Sequence, residues 1–217
     1  APIRERLLAY GAGPELLRQQ AGDEQAPAGE RATALYTLLY RDLDYGRYAD
    51  FLRDFAQFPY KATQPAQRLD PGLFAWSGGS DAGYACPSLV RIAERLAANA
   101  EDAQGMLCLG DFIRVHGLDE HWLNRPPAAG ELGSAPSQFQ GASFSRLAAY
   151  QLLLTGPQVS REDKAYALFR AINCYAPSGY NSCDRQDISK DQRKQWFQSL
   201  KRSYADTQWA QRLKYYW

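Results

Sequence analysis

The sequence predicts an all-α protein, an array of about three or four antiparallel helix pairs with long irregular loops. Hydrophobic side chains recur with helical spacing almost wherever a period can be read, and strand patterns are hard to find. A unit of helix, turn and helix recurs along the chain. Because 217 residues are enough to bury a sizeable core, we expect a single domain over residues 1–217.

The first predicted helix pair spans residues 27–44 and 46–58. Leu35, Leu38 and Leu39 share one face of its first helix, and Asp44-Tyr45-Gly46 ends that helix. In the second helix, hydrophobic residues recur at i, i+3, i+4 and i+7, namely Tyr48, Phe51, Leu52 and Phe55. The pattern indicates two amphipathic helices that pack on a shared core.

A second pair is predicted from the stripes within residues 89–96 and 103–110, with residues 99–102 as the turn between them. Further helices are predicted from capping patterns, because a serine oxygen can accept a hydrogen bond from the first turn. These patterns begin at Ser160 and Ser189. A last short helix is predicted over residues 207–215.

The net charge and the two histidines argue against nucleic-acid binding and against a histidine-based metal site. The chain has 25 Lys and Arg against 24 Asp and Glu, so its formal charge of +1 disfavours nucleic-acid binding. Residues 184–217 carry a basic excess, which suits an acidic partner or phosphate groups, although such a helix face is usually just solvated. His116 and His121 lie five residues apart across Gly117 and do not share a helical face. We therefore expect no catalytic residues, no metal and no cofactor.

The four cysteines indicate the cellular compartment of the protein, because two disulfides can be predicted from their positions. Cys174 and Cys183 bracket a segment rich in Pro, Gly and Asn, which favours a chain reversal that brings the two sulfurs together. We predict this disulfide and a second between Cys86 and Cys108, the alternative being reduced thiols that pack as small hydrophobic groups. Disulfides persist in oxidising compartments, so their formation would indicate a periplasmic or extracellular protein.

Three long connections, Pro59–Pro87, Arg125–Ala142 and Pro177–Ile188, exceed ordinary loop lengths and are therefore expected to be functional or specially ordered. Aromatic residues are abundant, with 14 Tyr, 9 Phe and 5 Trp, and those on inward helical stripes are assigned to the core. Those left without a core position in the connections include Phe74, Trp76, Tyr84, Phe139 and Tyr180. With carboxylates such as Glu131 or Asp111, they leave open a glycan-binding or glycan-processing module.

Three segments resemble tetratricopeptide repeats, and the first, Gly46–Phe51, looks like the family's Gly-x-Tyr turn between helices. In residues 93–117, Leu109-Gly110 and Gly117 match the family pattern, while Ala100 replaces its turn proline. The segment Ser203–Ala210 is similar to repeats of bacterial outer-membrane assembly lipoproteins, with alanine again in place of proline, at position 205. Glycine at such positions also permits close helix packing without any functional role.

The resemblance implies an α-solenoid that acts as a non-catalytic scaffold of the bacterial cell envelope, either as a mature chain or as part of a longer protein. Its partner would be a protein or an extended peptide, with no nucleic acid and no transmembrane segment, and it would lie at the outer membrane or cell wall. In this family the first helix of each pair lines the groove. The binding residues implied by that analogy are Tyr36, Tyr40, Arg114, Arg170 and Asn173.

Overall fold

A computed structural model describes residues 2–58, 69–80, 82–184 and 186–217. Within these residues the chain forms ten α-helices and no strands, which confirms the all-α prediction. Two short 3-10 helices cover Pro71–Ala75 and Trp122–Asn124. The α-helices are α1 (Pro2–Tyr10), α2 (Pro14–Gly22), α3 (Ala28–Asp44), α4 (Tyr48–Gln57), α5 (Leu89–Ala98), α6 (Ala103–Val115), α7 (Arg146–Thr155), α8 (Arg161–Asn173), α9 (Lys190–Ser203) and α10 (Gln208–Arg212).

The chain divides into two compact units. The first unit comprises Ala1–Ser77, Ser88–Ala100 and His121–Phe144, and it contains α1 to α5. Helix α3 packs against α1, α2 and α4, and α5 packs against α4. Because almost every side chain from residue 34 to residue 44 is buried, α3 forms the centre of this unit.

The second unit comprises Gly78–Pro87, Glu101–Glu120 and Ser145–Trp217, and it contains α6 to α10. Its central helix is α8, which packs against α6, α7, α9 and α10. The apolar residues of α8 occupy the buried interior of the unit, including Ala165, Leu168 and Ile172. The second unit therefore has a core of its own.

Helix ends follow the predicted capping chemistry. Ser160 accepts a hydrogen bond from the backbone N–H of Asp163, and Ser189 accepts one from that of Gln192, as the capping patterns predict. The last helix is shorter than predicted. Thr207 caps its start, but α10 ends at Arg212 because Leu213 adopts an extended backbone.

The predicted helix pairs are found as helices, and their arrangement as a repeat array stays a prediction. In the first unit α3 and α4 pack on each other, with the backbone of Gly46 in the left-handed region at φ 69° between them. Helices α5 and α6 both form, but they belong to different units. Every described helix is too short or too polar to span a bilayer. Residues 59–68 and 81 of the predicted connection Pro59–Pro87 lie outside the described residues.

Candidate functional site

Three of the predicted binding residues, Arg114, Arg170 and Asn173, lie in the second unit. Arg170 is only 6% exposed, and its guanidinium Nη2 lies 3.0 Å from Oδ1 of the buried Asp111. Arg114 is half-buried and donates to the same carboxylate oxygen at 3.4 Å. The amide of Asn173 donates to the Phe169 carbonyl at 2.7 Å. The structure thus brings Arg114 and Arg170 together on Asp111 and gives all three side chains internal partners.

The Asp111 carboxylate is the centre of a buried hydrogen-bonded network. Tyr166 donates its hydroxyl to Asp111 Oδ2 at 2.5 Å, and Arg170 Nε donates to that hydroxyl oxygen at 2.7 Å. Burial raises the pKa of Tyr166 well above its ordinary value, and the Asp111 charge adds to the effect. Tyr84 stacks on Tyr166 with ring centres 4.2 Å apart. The network therefore stabilises the interior of the second unit.

Tyr36 and Tyr40, the other two predicted binding residues, lie on α3 in the first unit. Each is 4% exposed, and their rings pack beside the imidazole of His121. Tyr40 accepts a hydrogen bond from the Asn124 amide at 2.9 Å. Burial raises the pKa of Tyr36 to about 12, so its phenol stays neutral. Both side chains fill the core of this unit instead of facing an open groove.

An open groove lies on the second unit between α7, the start of α9 and the segment 187–189. Its cavity volume is about 440 Å³. The apolar part of the lining comes from Leu154, Ile188 and Trp196, and the remainder is polar. The polar side chains that line it are Gln151, Thr155, Asp187, Ser189 and Gln192. This combination of apolar surface with a few polar groups is typical of binding sites.

The two glutamines give the groove its hydrogen-bonding capacity. Gln151 on α7 and Gln192 on α9 are both partly exposed, and neither side-chain amide forms a hydrogen bond with another described residue. Each amide offers two N–H donors and a carbonyl acceptor. The groove therefore presents donors and acceptors from two different helices.

One wall of the groove is fixed by the disulfide-closed loop Cys174–Cys183. The backbone N–H of Ile188 donates to the Tyr175 hydroxyl at 3.2 Å, and the Asn181 amide donates to the Gln186 carbonyl at 2.7 Å. Both predicted disulfides, Cys174–Cys183 and Cys86–Cys108, are present, each with a Cα–Cα distance of 5.4 Å. The first of them closes the loop that holds this wall in place.

No protein-family model, curated protein or solved structure matches the chain. The resemblance to tetratricopeptide repeats therefore stays a prediction, and the function has to be inferred from the groove and the side chains that line it. Among the described residues, no group of three His, Cys, Asp or Glu is placed to hold a metal ion. His116 lies at the end of α6 with Nδ1 2.8 Å from the Phe112 carbonyl oxygen.

The first unit buries a second ionisable cluster, in which two carboxyl groups from α3 and α4 interact. Arg18 Nε donates to both oxygens of Asp54 at 3.0 Å, and Arg53 Nε donates to Oδ1 at 3.1 Å. Although burial opposes it, this bonding holds the pKa of Asp54 below its ordinary value. Asp42 interacts with Asp54, and its cationic neighbour is Arg47, whose Nε lies 3.2 Å from Oδ1 and is not aligned for a hydrogen bond. Burial, followed by the charge of Asp54, raises the pKa of Asp42 to about 8.

We expect Asp42→Asn to flatten the pH dependence of stability. Asp42 is protonated in the folded protein at neutral pH but ionised in the unfolded chain, where its ordinary pKa is 3.8. Folding therefore takes up a proton, and stability falls as the pH rises between about 4 and about 8. An asparagine mimics the protonated acid and removes this fall. Urea unfolding at about pH 5 and about pH 8 measures the difference.

Glu24→Gln is the matched control, because Glu24 is an exposed carboxylate of the same unit and does not contribute to the raised pKa of Asp42. It should leave the decline in stability between the two pH values unchanged. An equal decline in the wild type and in Asp42→Asn would show that the Asp42 carboxyl is already ionised in the folded protein.

Proposed function

We propose that the protein is a non-catalytic scaffold that binds an extended peptide segment of another protein in the groove between α7 and α9. The observation that carries the proposal is the groove itself, which combines an apolar surface at Trp196 with the side-chain amides of Gln151 and Gln192. An extended peptide presents N–H and C=O groups at regular intervals, and a carboxamide pairs with both. Every second side chain of the peptide would then face the apolar surface.

The disulfides support a location outside the reducing cytoplasm. Both form in the second unit, and such bonds persist in oxidising compartments. We place the protein on the periplasmic or extracellular side of a bacterial envelope. Its helices would form a tetratricopeptide-like array of antiparallel pairs, in which each pair adds a strip of side chains to the binding surface.

Peptide binding is favoured over glycan binding because the loop aromatics are mostly unavailable for stacking on a sugar. Phe74, Tyr84 and Phe139 are buried, and Trp76 is half-buried. Tyr84 is further engaged through its hydroxyl, which donates to Asp163 at 2.5 Å. A glycan platform needs exposed aromatic faces with free polar groups beside them.

Peptide binding can be tested on an array of fluorescein-labelled synthetic peptides, with fluorescence anisotropy to measure the affinity of those that bind. We expect the double variant Gln151→Ala/Gln192→Ala to bind the selected peptide about tenfold more weakly, because two hydrogen bonds are lost. Both side chains are partly exposed, so the fold should be unaffected.

Gln195→Ala supplies the control, since Gln195 is an exposed glutamine on the same helix α9 and does not line the groove. Its affinity should equal that of the wild type. Absence of binding to every peptide on the array, or equal affinity of the double variant and the control, would exclude the groove as a peptide site.

A further inference from the structure

The loop Cys174–Cys183 exposes one large aromatic side chain. Tyr180 is 81% exposed, whereas the other four aromatics predicted in the connections are buried or half-buried. Exposure of a tyrosine to this extent leaves a large apolar surface in water. Tyrosine is also enriched among the residues that dominate protein interfaces.

The loop is held rigid by bonds within itself and to α9. The disulfide joins its two ends, the Ser182 N–H donates to the Cys174 carbonyl at 2.7 Å, and the Gly179 N–H donates to the Tyr175 carbonyl at 2.7 Å. From α9, Arg193 stacks 4.3 Å above the Tyr175 ring and donates Nη1 to the Gly179 carbonyl at 3.2 Å. A rigid loop loses little conformational entropy when its exposed side chain becomes buried in a complex.

Two polar side chains of the loop, Asn181 and Ser182, form hydrogen bonds within this region, which favours a protein over a sugar as the partner. The Asn181 amide donates to Asp184 and Gln186 and accepts from the Cys183 N–H. The Ser182 hydroxyl donates to the Cys174 carbonyl at 2.9 Å. The donors of these two side chains are therefore already used, and of the polar side chains next to the ring only the exposed Ser178 hydroxyl keeps a donor for a sugar. Tyrosine with serine, glycine and asparagine is instead the composition of antibody-type protein recognition loops.

The charge next to the loop favours an acidic partner. Helix α9, to which the loop is attached through Arg193, contains five basic residues and one acidic residue. Of the basic residues in its first two turns, Lys190 and Lys194 are exposed. Asp184 and Asp187 lie between the loop and α9, so the positive excess belongs to the helix. Positive charge on the helix that holds the loop is complementary to acidic residues on the partner, and it speeds association at low salt.

We propose that the loop Cys174–Cys183 is a protein-recognition surface, on which Tyr180 inserts into a pocket of a folded partner with acidic residues around that pocket. The loop supports one wall of the peptide groove, but the Tyr180 side chain does not line the groove. One scaffold would therefore have two separate contacts, a groove for an extended segment and a rigid aromatic anchor for a folded surface.

The test places a photo-crosslinking residue at the anchor, as Tyr180→p-benzoylphenylalanine, in the full chain expressed in its own cells. The control is Tyr215→p-benzoylphenylalanine, because Tyr215 is the other strongly exposed tyrosine of the second unit. We expect a discrete protein adduct at position 180 that is absent at position 215. The crosslinked protein is then purified and titrated calorimetrically with wild type, Tyr180→Phe and Tyr180→Ala.

We expect Tyr180→Ala to bind this protein about 30-fold more weakly, as for a hot-spot residue, and Tyr180→Phe to retain most of the affinity. The affinity should also fall between about 50 mM and about 500 mM salt. No adduct specific to position 180, equal affinity of Tyr180→Ala, or a glycan in place of a protein would overturn the proposal. An affinity that does not change with salt concentration would contradict the proposal that acidic residues surround the partner's pocket. Groove peptides should bind Tyr180→Ala normally, which separates the two proposals.

Discussion

Asp111→Leu is expected to lower the free energy of unfolding of the second unit by about 3–5 kcal/mol, because it leaves the buried Arg170 guanidinium without its counter-charge. Both side chains of this pair are only 7% exposed. The substitution also removes the acceptor of the Tyr166 hydroxyl. Urea unfolding monitored by circular dichroism measures the change.

The double variant Asp111→Leu/Arg170→Met separates the cost of an unpaired charge from the value of the pair. Because both charges are removed together, it should be less destabilised than Asp111→Leu alone. Asp206→Ala is the control, since its partner Arg161 forms an exposed pair with it in the same unit, and its unfolding midpoint should not move. If Asp111→Leu were as stable as Asp206→Ala, the prediction would be wrong, and the Arg170 charge would be neutralised or hydrated by a group other than Asp111.

Local signals in the sequence are sufficient to predict the helices that have them. The ends of α8 and α9 follow from Ser160 and Ser189, because capping depends on hydrogen bonds within one turn. Helices α3 and α5 follow from stripes of leucine and isoleucine that the structure buries. Prediction from such signals needs no knowledge of the tertiary structure.

Helix α7, which forms one side of the candidate groove, begins at a serine cap, Ser145, but has no hydrophobic stripe. Its sequence RLAAYQLLLT is apolar around most of its circumference, so no single face stands out. Gln151 on α7 and Gln192 on α9 are far apart in sequence, and only the packing of the second unit brings them to one groove. No local pattern could have selected these two glutamines as a pair.

Arg170 shows a second limit of sequence reasoning. Its place on a predicted helix made it a candidate for binding a peptide, but sequence does not distinguish an exposed arginine from one with a buried partner. That partner, Asp111, lies on α6 and is brought to Arg170 by the packing of α6 on α8. The loop that carries Tyr180 is predictable from sequence, in contrast to the partner of Arg170, because its turn residues and its two cysteines lie within one short segment.

Removal of the disulfide Cys86–Cys108 is expected to lower stability more, whereas removal of Cys174–Cys183 is expected to weaken peptide binding more. In the chain-entropy model, Cys86→Ala/Cys108→Ala lowers the free energy of unfolding by about 3 kcal/mol, because the closed loop is long. These cysteines are 22 residues apart, against 9 for Cys174 and Cys183. The loss in Cys174→Ala/Cys183→Ala should therefore be about 1 kcal/mol smaller.

Peptide binding should be weakened more by Cys174→Ala/Cys183→Ala than by Cys86→Ala/Cys108→Ala. The disulfide Cys174–Cys183 closes the loop that carries Tyr180 and supports the groove wall at Ile188. The disulfide Cys86–Cys108 instead joins α6 to the segment 78–87, which the Trp209 indole also holds by donating to the Ala82 carbonyl at 3.0 Å. Urea unfolding and peptide anisotropy on the two double variants measure both quantities. If the Cys174→Ala/Cys183→Ala variant bound groove peptides as tightly as the wild type, the wall would be held by its hydrogen bonds alone.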